Sequence, residues 1–284
     1  MKNILTIDIG GTKTAYAVFN ESAEILKYFS FPTEPRRGEK KLFEYIKSRV
    51  NVYNDIDFVS ISCPGPLDLK TGRTINIVTM GWKDVPVRQS AEEIFNAKAL
   101  LNNDCDAAAV GEHIYGAGKG ADNLVYITLS TGIGGGIIIN GRLYSGESAA
   151  AEFGHIPIPW DEKRVCGCGG VNCSELYGSG TAMQNFYKEK TGLNLTAKEI
   201  VKAGLAGDKT AVSALERAGR AVSYVLKTVD KIIDPEVIVL GGGLSNDLEI
   251  LLNYIDFNKK EKLKKYQLDG KQGLYGAFHL AAHL

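Results

Sequence analysis

One histidine and three cysteines lie close together in the middle of the chain. They are His155, Cys166, Cys168 and Cys173, within a span of 19 residues. Four nitrogen and sulfur donors are what a tetrahedral zinc site uses, and a set that leaves no position open for water is typical of a structural site. The C-x-C-G-x-x-x-C spacing is not that of a redox C-x-x-C pair. We therefore expect a structural Zn²⁺ site, the alternative being a group of unrelated buried thiols.

Two glycine-rich turns each separate a pair of short apolar segments. Asp8 stands before Gly10-Gly11, and Thr131 stands before the turn 132–136. Glycine lets backbone N–H groups approach an anion closely, which suits a phosphate. A carboxylate such as Asp8 would repel phosphate unless a cation intervened, and Mg²⁺ prefers oxygen ligands of this kind. The pair of turns therefore indicates a site for a magnesium nucleotide, although either turn alone could be an ordinary hairpin.

Two common phosphate-binding motifs are excluded. The sequence has no G-x-x-x-x-G-K-[ST] segment, so it carries no P-loop. The turn at 132–136 lacks the dinucleotide spacing and leads into an apolar strand rather than into a helix.

Short apolar segments alternate with helical patterns along the chain, which favours an α/β fold. The segment 5–11 and the segment 127–135 share one pattern: a buried strand, a polar residue, glycines and a second strand. Two such hairpins suggest two similar domains that face each other across a cleft. The expected strands are 4–7, 15–19, 58–63, 98–101, 124–129 and 237–240, and the expected helices are 41–50, 91–95, the segment up to about 115, one opened by a capping box at 196–199, and 211–233.

Three segments, in the expected order, resemble the ROK family of bacterial sugar kinases. Asp8–Lys13 resembles its first phosphate motif, Leu129–Gly136 its second, and Asp234–Gly243 its adenosine-side segment. The resemblance implies an actin-like fold of two α/β domains with a central cleft, of the hexokinase/Hsp70 and ribonuclease H-like type. It also implies that ATP with Mg²⁺ is bound by Asp8, Gly10, Gly11, Thr12, Lys13, Thr131, Gly132, Gly134, Gly242 and Gly243.

The same resemblance implies a domain division. We expect a small N-terminal domain made of residues 1–104 together with about 270–284. A larger domain, 105–269, would carry the zinc-binding loop.

Asn103-Asp104 is similar to the centre of the family's E-N-D-A-N segment, in which the aspartate is the catalytic base. Phosphorylating a sugar hydroxyl needs a base for its proton, and a carboxylate at a strand end suits that task. The flanking positions depart from the family, with Asn102 in place of glutamate and Asp106 in place of asparagine. We therefore expect Asp104 as the base and Asn103 as a sugar ligand. The alternative role for Asp104 is to cap the helix that follows, and the two roles are compatible.

Further sugar ligands follow from the resemblance. Glu152-Phe-Gly-His155 is similar to the family's E-x-G-H motif, and Glu175 matches the glutamate of its C-x-E segment. One ring nitrogen of His155 would bind zinc while the other faced the sugar. Pro64-Gly65 resembles the start of the family's P-G-P loop, for which a plain turn is the alternative. The family's asparagine ahead of Gly81-Trp82 has no clear counterpart, and Asn76 lies two positions early.

These residues predict an ATP-dependent kinase that phosphorylates the 6-hydroxyl of an aldohexose. Glucose is favoured because Cys173–Gly180 resembles the glucokinase members of the family, and N-acetylmannosamine or another N-acetylhexosamine is the alternative. The second alternative is a non-catalytic sugar sensor or regulator. Regulators of the family carry a helix-turn-helix domain ahead of the first phosphate motif, which here begins at residue 8, and a sensor would be expected to lack Asp104.

Composition narrows the partners. Lys+Arg and Asp+Glu both number 33, so the basic surplus of a nucleic-acid-binding protein is missing. No apolar run approaches the length of a membrane span, and Asp8 interrupts the apolar segment that a secretion signal would need. We expect a cytoplasmic enzyme with reduced cysteines that binds only a sugar and a nucleotide, and the family suggests a homodimer.

Overall fold

The computed structural model describes residues 3–50, 56–147 and 149–284. Contacts divide the chain into two compact units. The first comprises Met1–Gly120, Leu143–Ala150 and Gln267–Leu284, and the second comprises Ala121–Arg142 and Ala151–Tyr266.

The first unit is built on a five-stranded sheet in the order β3-β2-β1-β4-β9. Strand β1 pairs antiparallel with β2 and parallel with β4, and β4 pairs parallel with β9. Short hairpins β5-β6 and β7-β8 follow β4. The elements, in chain order, are β1 (Asn3–Ile9), β2 (Lys13–Phe19), β3 (Ile25–Pro32), α1 (Gly38–Val50), β4 (Ile56–Cys63), β5 (Leu67–Asp68), β6 (Arg73–Thr74), β7 (Asn76–Ile77), β8 (Trp82–Lys83), α2 (Val87–Phe95), β9 (Lys98–Asn103) and α3 (Asp104–Tyr115).

The second unit repeats this sheet order as β12-β11-β10-β13-β14. Strand β10 pairs antiparallel with β11 and parallel with β13, as β1 does with β2 and β4. The repetition explains the similar sequence patterns at 5–11 and 127–135. The elements are β10 (Leu124–Leu129), β11 (Ile133–Ile139), β12 (Arg142–Leu143), α4 (Glu175–Gly178), α5 (Gly180–Thr191), α6 (Ala197–Leu205), α7 (Lys209–Ile233), β13 (Val237–Gly241), α8 (Leu248–Leu251) and β14 (Leu263–Lys265).

The last helix, α9 (Gln272–Ala282), returns to the first unit. Its residues Leu274, Phe278 and Ala281 join Ile4 and Phe19 in one buried apolar cluster. The opposite face of the first sheet buries a second cluster, in which Leu5, Ile7, Val59 and Ile61 pack against helices α1 and α2 through Phe43, Ile46 and Ala91. Alternation of apolar residues along β1 supplies both faces.

Helices α3 and α9 approach each other unusually closely. A methyl group on Gly111 would clash with the carbonyl oxygen of Gln272, and one on Gly276 would clash with that of Ala107. This packing places residues 105–120 with the first unit, whereas the sequence placed the boundary at 104. It also moves the return point from about 270 to Gln267.

The core of the second unit lies between its sheet and the helices α5, α6 and α7, with Ile127, Leu129, Met183, Leu215 and Leu240 at its centre. The capping box expected at 196–199 is present: Thr196 Oγ1 accepts from Glu199 N, and Glu199 Oε2 accepts from Thr196 N. In the described ranges, none of the helices combines the length and apolar character that crossing a membrane requires.

Candidate active site

Two carboxylates of the first unit lie at the carboxyl-terminal end of its sheet. Asp8 is the penultimate residue of β1, and Asp104 is the first residue of α3, directly after β9. Burial and, to a smaller extent, the charge of Asp104 together raise the pKa of Asp8 to about 7, and Lys13 opposes the shift. Burial also raises the pKa of Asp104, while the N–H of Cys105 holds it down. Two carboxylates that repel each other in this way favour either protonation of one of them or a bound cation that neutralises their charge.

Helix α3 begins with a cap, but the cap is not Asp104. Asn103 Oδ1 accepts hydrogen bonds from Cys105 N at 2.9 Å and from Asp106 N at 3.1 Å. Asp104 Oδ1 accepts a hydrogen bond from its neighbour Cys105 N, at 2.8 Å. The capping role considered for Asp104 therefore falls on Asn103.

The first glycine turn is closed by a hydrogen bond from Gly10 N to Lys13 O at 2.9 Å. Thr33, just beyond β3, fastens it from outside: its hydroxyl donates to Gly10 O at 2.7 Å and its N–H donates to Thr12 O at 2.9 Å. Gly11, Thr12 and Lys13 are exposed. No sequence pattern pointed to Thr33, because it lies 23 residues from Gly10, to which its hydroxyl donates.

The loop after β4 contains the other first-unit residues expected near a sugar. Pro64 and Gly65 are half-buried and precede a cis Gly65–Pro66 peptide bond. Asn76 is exposed in the short hairpin β7-β8, and Val78 beyond it is 79% exposed. No residue of this loop is a clear counterpart of the family's asparagine.

The second glycine turn is supported by a carboxylate from elsewhere in its unit. Glu175 Oε2 accepts from Ile133 N at 3.1 Å, and a methyl group on Gly132 would clash with the same oxygen. Gly180 N donates to Ser130 O at 2.7 Å, which binds the start of α5 to the turn. Thr131 is exposed at its tip and Gly134 continues into β11. Glu175, which we expected as a sugar ligand, thus also supports the second glycine turn.

Gly242 and Gly243 follow β13 in the same unit. Gly242 has φ +84°, and a side chain there would clash with Leu129 O. Gly243 has open space around its α-carbon. The segment therefore passes close to the end of β10 and then presents bare backbone.

The four expected zinc ligands are brought together. One donor atom from each of His155, Cys166, Cys168 and Cys173 lies within 4.8 Å of all the others. The His155 Nδ1–Cys166 Sγ distance is 3.7 Å and the Cys168 Sγ–Cys173 Sγ distance is 3.6 Å. Ligands 2.3 Å from a tetrahedral zinc ion lie about 3.8 Å apart, so the donor set fits that ion.

The zinc ligands are continuous with the expected sugar ligands. His155 uses Nδ1 toward Cys166, and its Nε2 lies 3.9 Å from Glu152 Oε2. Ser174, between Cys173 and Glu175, donates to Phe153 O at 2.8 Å, which ties the two loops together. The two ring nitrogens of His155 therefore lie toward different groups, Nδ1 toward the cysteines and Nε2 toward Glu152.

Known proteins resemble this chain over almost its full length. The ROK family model matches residues 4–283. A glucokinase of Streptomyces coelicolor is 32% identical, over 97% of this chain and 96% of its own. An N-acetyl-D-glucosamine kinase of Vibrio cholerae is 32% identical, over 84% of this chain and 83% of its own.

A solved structure gives the same result. The crystal structure of a ROK family glucokinase from Streptomyces griseus, in complex with glucose and AMPPNP, matches with a TM-score of 0.83 at 30% identity, over 98% of both chains. This likeness confirms the actin-like α/β fold expected from the sequence. The chain belongs to the ROK family.

Proposed function

We propose that the protein is an ATP-dependent hexose kinase that transfers the γ-phosphoryl group of ATP to the 6-hydroxyl of glucose. The observation that carries the proposal is the carboxylate of Asp104 directly after β9, in a chain that glucokinases match over almost its full length. The role of base rests on the resemblance of Asn103-Asp104 to the family's motif. A sugar sensor without catalytic activity would not need that carboxylate.

Asp104 takes the proton of the attacking hydroxyl. Burial raises the pKa of Asp104 toward neutral pH, which makes this carboxylate a better base than an exposed aspartate. Asn103 Nδ2 donates to a neighbouring sugar oxygen, since Asn103 Oδ1 is engaged in the cap. Pro64 and Gly65 border the sugar from the loop after β4.

The nucleotide is held by the exposed backbone of the glycine turns. The N–H groups at Gly11 and Thr12 and those at Thr131 and Gly132 suit the phosphates, and the segment at Gly242-Gly243 lies on the adenosine side. Asp8 and nearby oxygens would hold Mg²⁺, which neutralises charge on the transferred phosphoryl group.

The second unit contributes the remaining sugar ligands. Glu152, His155 and Glu175 accept and donate hydrogen bonds to ring hydroxyls, and carboxylates form strong charge-assisted bonds of this kind. Zn²⁺ on His155 and the three cysteines would hold these loops in shape and has no part in the transfer itself.

An N-acetylhexosamine is the second candidate substrate. The Vibrio cholerae N-acetyl-D-glucosamine kinase is as similar in identity as the Streptomyces coelicolor glucokinase, although it covers less of the chain. N-acetylmannosamine belongs to the same class. We also propose a cytoplasmic homodimer, since the zinc set requires reduced thiols and the family suggests that assembly.

The test is an assay of ADP release with glucose, N-acetylglucosamine and N-acetylmannosamine, with the product's phosphorylated carbon assigned by NMR. We expect the highest kcat/KM for glucose and phosphate on carbon 6. A tenfold preference for either N-acetylhexosamine would refute glucose and leave the kinase in place. No ADP release with any hexose would refute the kinase.

A further inference from the structure

Glu112, on helix α3, is a fully buried carboxylate that the proposed reaction does not use. Its two oxygens accept hydrogen bonds from three main-chain N–H groups: from Ala117 N at 2.8 Å, from Gln267 N at 3.0 and 3.1 Å, and from Leu268 N at 3.2 Å. Burial raises its pKa, and these donors oppose the shift. A buried carboxylate with this many donors is expensive to replace, because each donor would be left unpaired.

The donors lie next to two of the places where the chain passes between its units, the first and the last along the sequence. It leaves the first unit after Gly120, shortly beyond Ala117, and it returns at Gln267. Ala117, Gln267 and Leu268 themselves all belong to the first unit, as Glu112 does. One carboxylate therefore joins the outgoing and the returning segments, which are 150 residues apart in sequence.

The turn after α3 leaves space for the Glu112 carboxylate and is hydrogen-bonded to the Glu112 backbone. Gly116 leaves room for the carboxylate, since a methyl group there would clash with Glu112 Oε2. The main-chain oxygen of Glu112 accepts from Gly118 N at 2.9 Å and from Gly116 N at 3.2 Å. Glu112 thus holds the turn after α3 with both its side chain and its backbone.

The two segments lead directly to the two carboxylates of the candidate site. Glu112 lies on the helix whose first residue is Asp104. The returning segment runs into α9, where a methyl group on Gly273 would lie 2.9 Å from Asp8 Oδ2. Because α3 and α9 touch backbone to backbone, a shift of the returning segment would move the helix end that borders Asp8.

We propose that Glu112 is a positioning residue for phosphoryl transfer, which fastens α3 to the returning segment and thereby fixes Asp104 and Asp8 relative to each other. The inference rests on the proposed function for its effect on catalysis. Its structural part, the joining of residues 117 and 267–268 by one carboxylate, can be tested without any activity.

Glu112→Gln is the decisive variant. Glutamine keeps the shape but has a single acceptor oxygen, so its NH₂ group must face one of the two segments. We expect faster hydrogen exchange at Ala117 or at Gln267 and Leu268. We also expect kcat to fall roughly ten- to hundredfold, the scale of a small misplacement of reacting groups, with a smaller change in KM for glucose.

Glu236→Gln is the matched control. Glu236 Oε1 also accepts two main-chain bonds, from Asp122 N at 3.0 Å and from Asn123 N at 2.9 Å, but it is exposed and lies in the second unit. Its replacement should leave kcat, KM and the exchange of residues 117 and 267–268 unchanged.

Both measurements are made where circular dichroism shows the variant folded. If Glu112→Gln does not fold, Gly116→Ala replaces it, because the added methyl group displaces Oε2 while keeping the carboxylate. Unchanged exchange at both segments would overturn the proposal, and so would faster exchange with kcat within twofold of the unmodified protein. Absence of kinase activity in the unmodified protein would refute the proposed function, while hydrogen exchange would still decide whether Glu112 joins the segments.

Discussion

The two glycine turns occupy the same place in two sheets of the same strand order, yet they are supported in different ways. In the first unit, the strand itself supplies a carboxylate, Asp8, and the turn is fastened by Thr33 through a hydroxyl and a backbone N–H. In the second unit, Ser130 stands where Asp8 does in the aligned pattern. The carboxylate there comes from Glu175, two residues after Cys173, and accepts a hydrogen bond from Ile133 N.

Under the proposed function, the two turns have different tasks. Asp8, whose pKa is raised mainly by burial, would lie on the Mg²⁺ side. One oxygen of Glu175 accepts the hydrogen bond from Ile133 N, so this carboxylate would shape its turn rather than bind the metal. We therefore propose that turns of the same topology serve either the metal side or the phosphate side of a nucleotide, depending on where the carboxylate comes from.

The largest expected effect is a loss of turnover caused by a substitution in the first unit. Asp104→Asn keeps the shape of the side chain and removes its basicity, so we expect kcat to fall roughly 10²–10⁴-fold with little change in KM for glucose. Steady-state kinetics on the folded variant measure this. Asp57→Asn, on the exposed part of β4, should retain normal turnover, and normal turnover in Asp104→Asn would contradict the assignment of the base.

The next effect should be confined to the second unit. Cys168→Ser removes one of four metal ligands, and we expect loss of zinc and a destabilisation of about 2 kcal/mol or more. Calorimetry should show the transition of the second unit moving to lower temperature more than that of the first. Elemental analysis provides the check, since Cys105→Ser should keep one zinc ion per chain and Cys168→Ser should not.

A pair of methyl groups compares the turns directly. In Gly10→Ala the methyl group meets the main-chain oxygen of Lys13 at 2.7 Å, which cannot move unless the turn opens. In Gly132→Ala it meets the end of the Glu175 side chain, which can rotate away at the loss of one hydrogen bond, about 1 kcal/mol. Chemical denaturation should therefore find Gly10→Ala the less stable variant. Equal stabilities would show that the two turns are equally adaptable.

The last expected effect is a pH dependence of stability carried by Asp8. Its pKa is raised from 3.8 to about 7 on folding, so its contribution to stability is full below pH 3.8 and is lost as pH rises through 7. Without added Mg²⁺, the free energy of unfolding should fall from pH 5 to pH 8 more steeply than in Asp8→Asn. Adding Mg²⁺ at pH 8 should stabilise the unmodified protein and not the variant, and identical pH profiles would contradict the proposed role.

Local patterns in the sequence predicted what is locally determined. The strands 124–129 and 237–240, the capping box at Thr196 and the gathering of the cysteines with His155 all depend on residues close together along the chain. Periodicity shows which face of an element is buried, but not which distant segment covers it. For that reason the sequence did not predict the packing of α9 on α3, which places residues 105–120 in the first unit. It also did not predict the hydrogen bond from Ile133 N to Glu175.

Two further residues show the same limit at finer scale. Asparagine and aspartate are equally good helix caps, so composition could not decide between Asn103 and Asp104. A glutamate in a helix such as Glu112 is usually solvated, and only the return of the chain at Gln267 reveals its partners.

The return of α9 to the first sheet also bears on the order in which the protein takes shape during synthesis. Strands β1 and β2 are translated before the second unit, but Ile4, Ala17 and Phe19 are covered by Leu274 and Phe278, which are translated at least 255 residues later. The whole second unit lies between them in sequence. Domains commonly fold in the order in which they leave the ribosome. Here the first unit is begun before the second unit but is completed after it. Until Leu274 and Phe278 are translated, the second unit must fold without binding the uncovered apolar face of the first sheet.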